Sequence, residues 1–124
     1  HPAIIHIDWS DHVEYFMNLS HLLIHASYRE GFPNTLLQTG AMGCPIVCSA
    51  IDGSVDIVTH SETGLLFQPG NMEDLLEKLK YALAHPEEMK NYAINLRKKI
   101  EKNFSQSYLH NCLKEKYFEL LNKN

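Results

Sequence analysis

Residues 22–49 read LLIHASYREGFPNTLLQTGAMGCPIVCS, and this stretch decides the fold. It begins with a short, mostly apolar run at 22–25 and ends with a second one at 46–48, as buried parallel strands do. Between them, residues 34–42 have a helical pattern that Gly43 and Pro45 bring to an end. Two such strands joined through a helix form a parallel pair with a right-handed crossover. The stretch therefore predicts the repeating unit of a parallel α/β sheet.

The same alternation continues on both sides of this stretch. Before it, a short apolar run at Ile4–Ile7 predicts a further strand, followed by a helix near Asp11–Asn18. After it, a helical turn near Val55–Val58 precedes a run at Leu65–Phe67. Residues 1–70 thus predict a four-stranded parallel core of an α/β fold.

From residue 71 onward the chain has helical patterns alone. Asn71 is placed to cap a first helix, Pro86 to occupy the first position of a second, and Ser105 to cap a third. The apolar face of the third helix runs through Cys112, Leu113, Tyr117 and Leu120. Three amphipathic helices are therefore expected after the sheet.

The composition narrows the class of protein. The chain has 124 residues, of which 44% are hydrophobic and 21% charged, and this fits one globular domain. Its net charge of −4 argues against a nucleic-acid-binding protein, which needs a basic face. Three cysteines without a secretory signal indicate a reducing compartment such as the cytoplasm, and we expect Cys44 and Cys48 to be core residues. His21 and His25 have no acidic partners that would complete a metal site, so no metal is predicted.

Ligands of open parallel sheets bind at the carboxyl ends of the strands, here the loops after Ala26, Ser49 and Phe67. The first of these loops, residues 27–33, is the most polar of them and leads into the 34–42 helix, with Asn34 as the expected cap. Free amides at a helix start can hold a phosphate. From the residues alone, a structural turn and an anion site are equally good interpretations of this loop.

Three blocks of the chain carry a family resemblance. They are SYREGFPNTLLQTGAMGCPIV at 27–47, DGSVDIV at 52–58 and ETGLLFQPG at 62–70. The first resembles the donor-site signature of the family 4 retaining glycosyltransferases, roughly S-x-x-E-G-F-x-x-x-x-x-E-A-x-A-x-G-x-P-V/I-V. The second is similar to a later loop of that family, and the third to its E-x-G-x-L-V-x-P-G-D segment. The likeness covers about residues 4–104 and is strongest to enzymes that build capsular and other surface polysaccharides.

The resemblance implies a Rossmann-like α/β domain that is half of the two-domain GT-B architecture. Residues 1–124 would be a partial C-terminal domain that binds the nucleotide sugar, with its sheet in about 1–70 and a helical tail in about 71–124. The N-terminal acceptor domain would be absent. We therefore expect the fragment alone to be inactive, and to self-associate through an uncovered edge or face of its sheet.

The resemblance also implies roles for single residues. Glu30 matches the first carboxylate of the signature and would be the catalytic residue that contacts hydroxyls of the donor sugar. Gln38 replaces the second carboxylate, which binds the ribose in the family, and keeps an acceptor oxygen without the charge. The other predicted donor-binding residues form the turn into the helix and, except for Pro33, would offer amides to phosphate oxygens: Gly31, Phe32, Pro33, Asn34, Thr35 and Leu36. For Asn34, a helix cap and a donor contact both remain open.

The implied activity is sugar transfer from a nucleotide-diphosphate sugar to a saccharide or lipid-linked acceptor, in polysaccharide biosynthesis in the cytoplasm, without a cofactor. The acceptor would bind through the missing N-terminal domain, and peripheral membrane association of the full-length protein stays open. Gln38 and the short chain leave a second interpretation, a non-catalytic nucleotide-sugar-binding or degraded module. The block around Glu30 argues against a nucleotide-sugar epimerase on the same architecture.

Overall fold

A computed structural model describes residues 1–122 and shows a parallel sheet with helices on both faces. Its elements are, in chain order, α1 Val13–Leu19, β1 Leu23–His25, α2 Asn34–Met42, β2 Ile46–Ser49, α3 Ser54–Ile57, β3 Leu65–Phe67, α4 Met72–Ala84, α5 Pro86–Asn103 and α6 Gln106–Leu121. The strand order is β1-β2-β3, and both neighbouring pairs are parallel. The predicted α/β class and strand direction are confirmed.

The central strand β2 holds two hydrophobic clusters together because its side chains alternate between the faces of the sheet. One cluster contains Leu36, Ile46, Cys48, Ile57, Val58, Leu96 and Ile100. The other contains Val47, Leu65, Phe67, Ala82, Met89 and Tyr92. Each large apolar side chain buried in this way contributes roughly 1.5–3 kcal/mol. Burial also raises the pKa of the Cys48 thiol to about 12, and Cys44 is buried too, which confirms both cysteines as core residues.

Helix α2 lies against α5 at a separation that only glycine permits. A Cβ at Gly40 would come within 2.5 Å of Ile100 Cδ1 and 2.8 Å of Leu96 Cδ2. The missing side chain therefore fixes how closely α2 approaches α5. Because the loop 27–33 runs directly into α2, this packing also positions the loop.

The structure confirms the predicted first residues of the three later helices. Asn71 Oδ1 accepts from the Asp74 amide at 3.0 Å at the start of α4, and Ser105 Oγ accepts from the Tyr108 amide at 3.4 Å at the start of α6. Pro86 is the first residue of α5. Each cap satisfies one amide that a helix start would otherwise leave unpaired.

The prediction of a strand at Ile4–Ile7 is wrong, and the sheet of the described residues has three strands instead of four. The run takes part in neither ladder, and Ile4 and Ile5 are 73% and 83% exposed. An apolar run becomes a strand only where a neighbouring strand accepts its backbone hydrogen bonds. Residues 4–7 pair with none of the three described strands, so they do not form a strand.

The third predicted helix is present as α6, but none of its residues is buried. Leu113, Tyr117 and Leu120, which belong to its predicted apolar face, are all more than half exposed. Within residues 1–122, no helix combines the length and the apolar character needed to cross a membrane.

Candidate functional site

The carboxyl ends of the three strands meet at one edge of the sheet, as the sequence predicts. An open depression of about 650 Å³ lies there, lined by Tyr28, Arg29, Glu30, Gly31, Ile51 and Asp52. A smaller one of about 90 Å³ adjoins it through Tyr28 and reaches the segment after β3. The loops after β1 and β2 thus form the walls of one open site.

Ser49, the last residue of β2, ties the loop after β1 to the sheet. Its buried hydroxyl donates to the Ser27 carbonyl at 2.6 Å and accepts from the Ser27 amide at 3.2 Å. Ser27 Oγ in turn donates to the Arg29 carbonyl at 3.1 Å. These bonds fix the backbone immediately before Glu30.

Gly53 holds the same loop from the other side. Its φ of 81° lies in the left-handed region, and a Cβ there would be 2.9 Å from the Gly31 carbonyl oxygen and 3.0 Å from Pro33 Cδ. A side chain would therefore be strained and would also collide with the turn. The loop after β2 is in this way packed directly against the turn that carries the predicted donor-binding residues.

The start of α2 leaves three of the predicted amides available. The Asn34 amide donates to the Phe32 carbonyl and the Leu36 amide to the Pro33 carbonyl, both at 3.0 Å. The amides of Gly31, Phe32 and Thr35 donate to no acceptor among the described residues. The first turn of α2 contains no acidic residue. Free amides and the positive end of the helix dipole together favour an anion at this position.

The expectation that Asn34 caps α2 is wrong. The cap is Pro33, with a φ of −77°, and no side chain accepts a hydrogen bond there. The ψ of Pro33 is 88°, outside the helical region, so the helix begins at Asn34 and the Asn34 side chain lies past the capping position. Asn34 becomes the first helical residue, and its side chain is exposed.

Glu30 directly precedes this turn and lies beside His25 of the sheet. Glu30 Oε1 is 3.5 Å from Nε2 of His25, the last residue of β1, and the side chains are 32% and 16% exposed, respectively. The other ring nitrogen, Nδ1, is buried without a hydrogen-bond partner among residues 1–122. The carboxylate of Glu30 thus has one oxygen facing the protein while it borders the open depression.

The remaining predicted site residues lie on the turn or on α2. Leu36 is fully buried, whereas Phe32 contacts Phe104 at a ring-centroid distance of 6.0 Å but remains 50% exposed. Gln38 is exposed one turn after Asn34, which puts the two side chains on the same face of α2. Glu30 and the amides are therefore brought together, whereas no contact joins Gln38 to Glu30.

Sequence reasoning missed the supporting residues His25, Ser49 and Gly53. Gly53 follows Asp52, and an Asp-Gly pair after a strand is a turn signal, so its backbone conformation was recognisable. The contact of His25 with Glu30 had no such signal, because the two residues belong to a strand and a loop. Among the described residues, no group of three or more His, Cys, Asp or Glu side chains could hold a metal ion.

Two glycosyltransferases are similar to this chain in sequence over most of its length. It is 24% identical over 115 residues to the capsular polysaccharide biosynthesis glycosyltransferase CapM of Staphylococcus aureus, covering 93% of this chain and 30% of that protein. It is 32% identical over 114 residues to the N,N'-diacetylbacillosaminyl-diphospho-undecaprenol alpha-1,3-N-acetylgalactosaminyltransferase of Campylobacter jejuni, covering 92% and 29%. The chain therefore spans less than a third of the length of these relatives.

Solved structures agree on the fold. A glycosyltransferase from Rickettsia africae superposes with a TM-score of 0.82 at 26% identity, over 93% of this chain and 31% of that one. Anabaena HepE in complex with UDP-glucose superposes with a TM-score of 0.77 at 20% identity, over 84% and 29%. The Rossmann-like fold expected of a GT-B glycosyltransferase domain is confirmed.

The sequence profile of the family described as "Glycosyl transferases group 1" matches residues 3–99, which include all three strands and the whole turn from Glu30 to Leu36. That range is well over half of the chain. The chain belongs to the group 1 glycosyltransferases.

Proposed function

We propose that this chain is the partial C-terminal, donor-binding domain of a longer retaining glycosyltransferase. The observation that carries the proposal is the placement of Glu30 and the free amides of Gly31, Phe32 and Thr35 in one turn at the carboxyl edge of the sheet. A nucleotide-diphosphate sugar presents phosphate oxygens and sugar hydroxyls only a few bonds apart. An amide cluster next to a carboxylate matches that pair of groups.

The amides have a direct role in the chemistry. When the bond between sugar and diphosphate breaks, negative charge develops on the leaving phosphate. Fixed N–H donors at a helix start stabilise that charge without having to reorganise, and therefore act more strongly on the transition state than on the bound donor. Ser49 and Gly53 support this function because they hold the turn from both sides.

Glu30 would bind the sugar itself. An ionised carboxylate only accepts hydrogen bonds, so it suits hydroxyl groups and would repel the diphosphate if it were placed against it. Gln38 would contact the ribose hydroxyls more weakly than a carboxylate does, since it has lost the charge. The exposed position of Gln38 on the same face of α2 as Asn34 supports a contact with a ligand that extends along the helix.

The biological setting is proposed from the named relatives. CapM acts in capsular polysaccharide biosynthesis, the Campylobacter enzyme is named for an undecaprenol-linked acceptor, and HepE was solved with UDP-glucose. By analogy, we expect transfer to a saccharide or lipid-linked acceptor held by an N-terminal domain, in the cytoplasm. A lipid-linked acceptor would bring the whole protein to the membrane surface.

One observation favours a second candidate, a non-catalytic module that binds nucleotide sugars. Gln38 replaces a carboxylate of the family signature, and a domain that no longer turns over its donor has no need of that charge. The two candidates differ in turnover and agree in donor binding.

Titration calorimetry on the whole protein tests the proposal, with UDP, UDP-glucose, GDP and GDP-mannose as probes. Glu30→Ala is expected to weaken binding of the sugar nucleotide and to leave the matching nucleoside diphosphate unaffected, because only the former carries the sugar. Glu115→Ala, an exposed glutamate on α6, is the matched control and should change neither.

Equal losses for the diphosphate and the sugar nucleotide, or no loss for either, would contradict the role of Glu30. Absence of binding by every probe would contradict the proposed function as a whole. The retaining mechanism is checked separately by NMR, since the anomeric configuration of the product must equal that of the donor.

A further inference from the structure

The pair of His25 and Glu30 has a geometry that a buried structural histidine does not need. His25 ends β1 and is only 16% exposed, and its ring turns Nε2 toward Glu30 Oε1 at 3.5 Å. The opposite nitrogen, Nδ1, is buried and has no partner among the described residues. If His25 served only to fill the core, burial of its unpaired nitrogen would cost free energy with no compensating contact. A leucine would fill the same space without that cost.

The surroundings of the two ring nitrogens determine the tautomer. A proton on Nδ1 would leave a buried N–H donor without an acceptor, and a bare Nε2 would set its lone pair against the carboxylate. With the proton on Nε2, the positive end of the N–H bond faces the Glu30 carboxylate 3.5 Å away, and only an unused acceptor is left inside the protein. The geometry therefore assigns the Nε2–H form.

We infer that His25 is a positioning residue for Glu30, a role that rests on the proposed function of Glu30 in sugar binding. Because the imidazole contacts Oε1, Oε2 is the oxygen left to accept from a sugar hydroxyl. Without the imidazole the glutamate side chain gains rotamers and loses the preformed orientation, which lowers its affinity for the sugar.

Isosteric replacements test this inference in the whole protein. The terminal amide of glutamine overlays Nε2 of histidine, whereas that of asparagine overlays Nδ1. His25→Leu is therefore expected to weaken UDP-glucose binding by up to roughly tenfold, which is the cost of ordering one more side chain on binding, and to leave UDP binding unchanged. His25→Gln should restore most of the loss, and His25→Asn should not. The control His21→Leu, at an exposed histidine two residues before β1, should change nothing.

A spectroscopic measurement makes the test independent of stability. The ¹⁵N shifts of the His25 ring should report the Nε2–H tautomer and should move in Glu30→Gln, while those of His21 stay in place. Unfolding of His25→Leu should occur at an equal or higher temperature, because the variant removes a buried unpaired nitrogen. A loss of affinity without a loss of stability is not expected of a purely structural residue.

The outcomes separate this inference from the proposed function. If Glu30→Ala weakens UDP-glucose binding while His25→Leu does not, or if Leu, Gln and Asn at position 25 weaken it equally, the positioning role is overturned and the proposed function stands. If Glu30→Ala itself has no effect, both fail. Rescue by glutamine, together with no further loss when His25→Leu is added to Glu30→Ala, supports the positioning role.

Discussion

Gly53 and Gly31 belong to different loops, yet they approach so closely that a Cβ on Gly53 would lie 2.9 Å from the Gly31 carbonyl oxygen. The loop after β2 thereby supports the turn that leads into α2. This contact links the backbone geometry of one loop to the ligand-binding groups of the other, and it can be tested by adding a single methyl group.

Gly53→Ala is expected to destabilise the protein and to weaken donor binding. The left-handed φ costs an alanine about 1–2 kcal/mol, and the collision with Gly31 displaces the turn in addition. Gly43→Ala is the matched control, because Gly43 has a φ of 76° but no atom within 4 Å of its added Cβ. Urea unfolding and UDP titration should show a loss of stability in both variants and a loss of binding only in Gly53→Ala. Equal behaviour of the two variants would contradict the proposed support of the turn.

Ser49→Ala is expected to lower the free energy of unfolding by about 1–3 kcal/mol, because it leaves the partly buried carbonyl and amide of Ser27 without their partner. Ser54→Ala provides the comparison. Its hydroxyl is equally buried but has no hydrogen-bond partner among the described residues, so its removal should be neutral or stabilising. Chemical denaturation measures both variants. A loss in Ser54→Ala as large as that in Ser49→Ala would mean that packing, and not the hydrogen bonds, holds the loop.

Gln38→Glu restores the carboxylate of the family signature and is expected to tighten the binding of UDP and UDP-glucose alike, since both carry the ribose. A charged hydrogen-bond acceptor is worth on the order of 1.5–3 kcal/mol, or roughly ten- to a hundredfold in affinity. Calorimetry with 2′,3′-dideoxy-UDP is the control, because that ligand lacks the ribose hydroxyls. An equal gain with the dideoxy ligand would show that Gln38 does not contact the ribose, and would favour the non-catalytic module.

Stability should depend on pH through Glu88, which accepts hydrogen bonds from the hydroxyls of Tyr81 in α4 and Tyr92 in α5. These bonds hold the pKa of Glu88 below its ordinary value of 4.5 and, because the carboxylate opposes a second negative charge, raise the pKa of Tyr92 to about 12. The stabilisation from Glu88 is therefore present above pH 4.5 and lost as pH falls further. The stabilisation from Tyr92 is present below the ordinary tyrosine pKa of 10.0 and is lost as pH rises toward 12.

Unfolding of Glu88→Gln across this range is the measurement, with Glu87→Gln as control, since among residues 1–122 Glu87 pairs only with exposed Lys90. The difference in stability between wild type and Glu88→Gln should be greatest between the two limits and should shrink toward both. A difference that stays constant at acid and alkaline pH would show that the hydrogen bonds from Tyr81 and Tyr92 to Glu88 do not stabilise the protein.

The isolated chain is expected to self-associate. β1 pairs with β2 on one side only, Ile24 on it is 48% exposed, and Ile5 and Trp9 are each 83% exposed. Such open edges and apolar surfaces attract further chains. Light scattering should detect oligomers, and Ile24→Lys, which adds a charge at the open edge, should reduce them. A strictly monomeric wild-type chain at high concentration would refute this prediction.

Local patterns in the sequence determined most of the secondary structure. The position of α2, the proline at the start of α5 and the caps at Asn71 and Ser105 depend on residues within a few positions of one another, so they could be predicted from spacing alone. Topology also predicts that the turn around Glu30 lies at the carboxyl edge of the sheet. The role of Glu30 in that turn was predicted only from the resemblance to the glycosyltransferase signature.

Only the tertiary structure decided what depends on contacts between distant parts of the chain. Residues 4–7 have the pattern of a strand but pair with no strand of the sheet, so their apolar character alone does not make them one. Proline at position 33 displaced the expected cap, and Gly53 was found to support a turn more than twenty positions earlier. The sequence indicates no role for His25, whereas the structure places its Nε2 beside Glu30 and buries its Nδ1. Hydrogen bonds and steric exclusion act between atoms that are close in space, and closeness in space between a strand, a loop and a turn arises only when the chain folds.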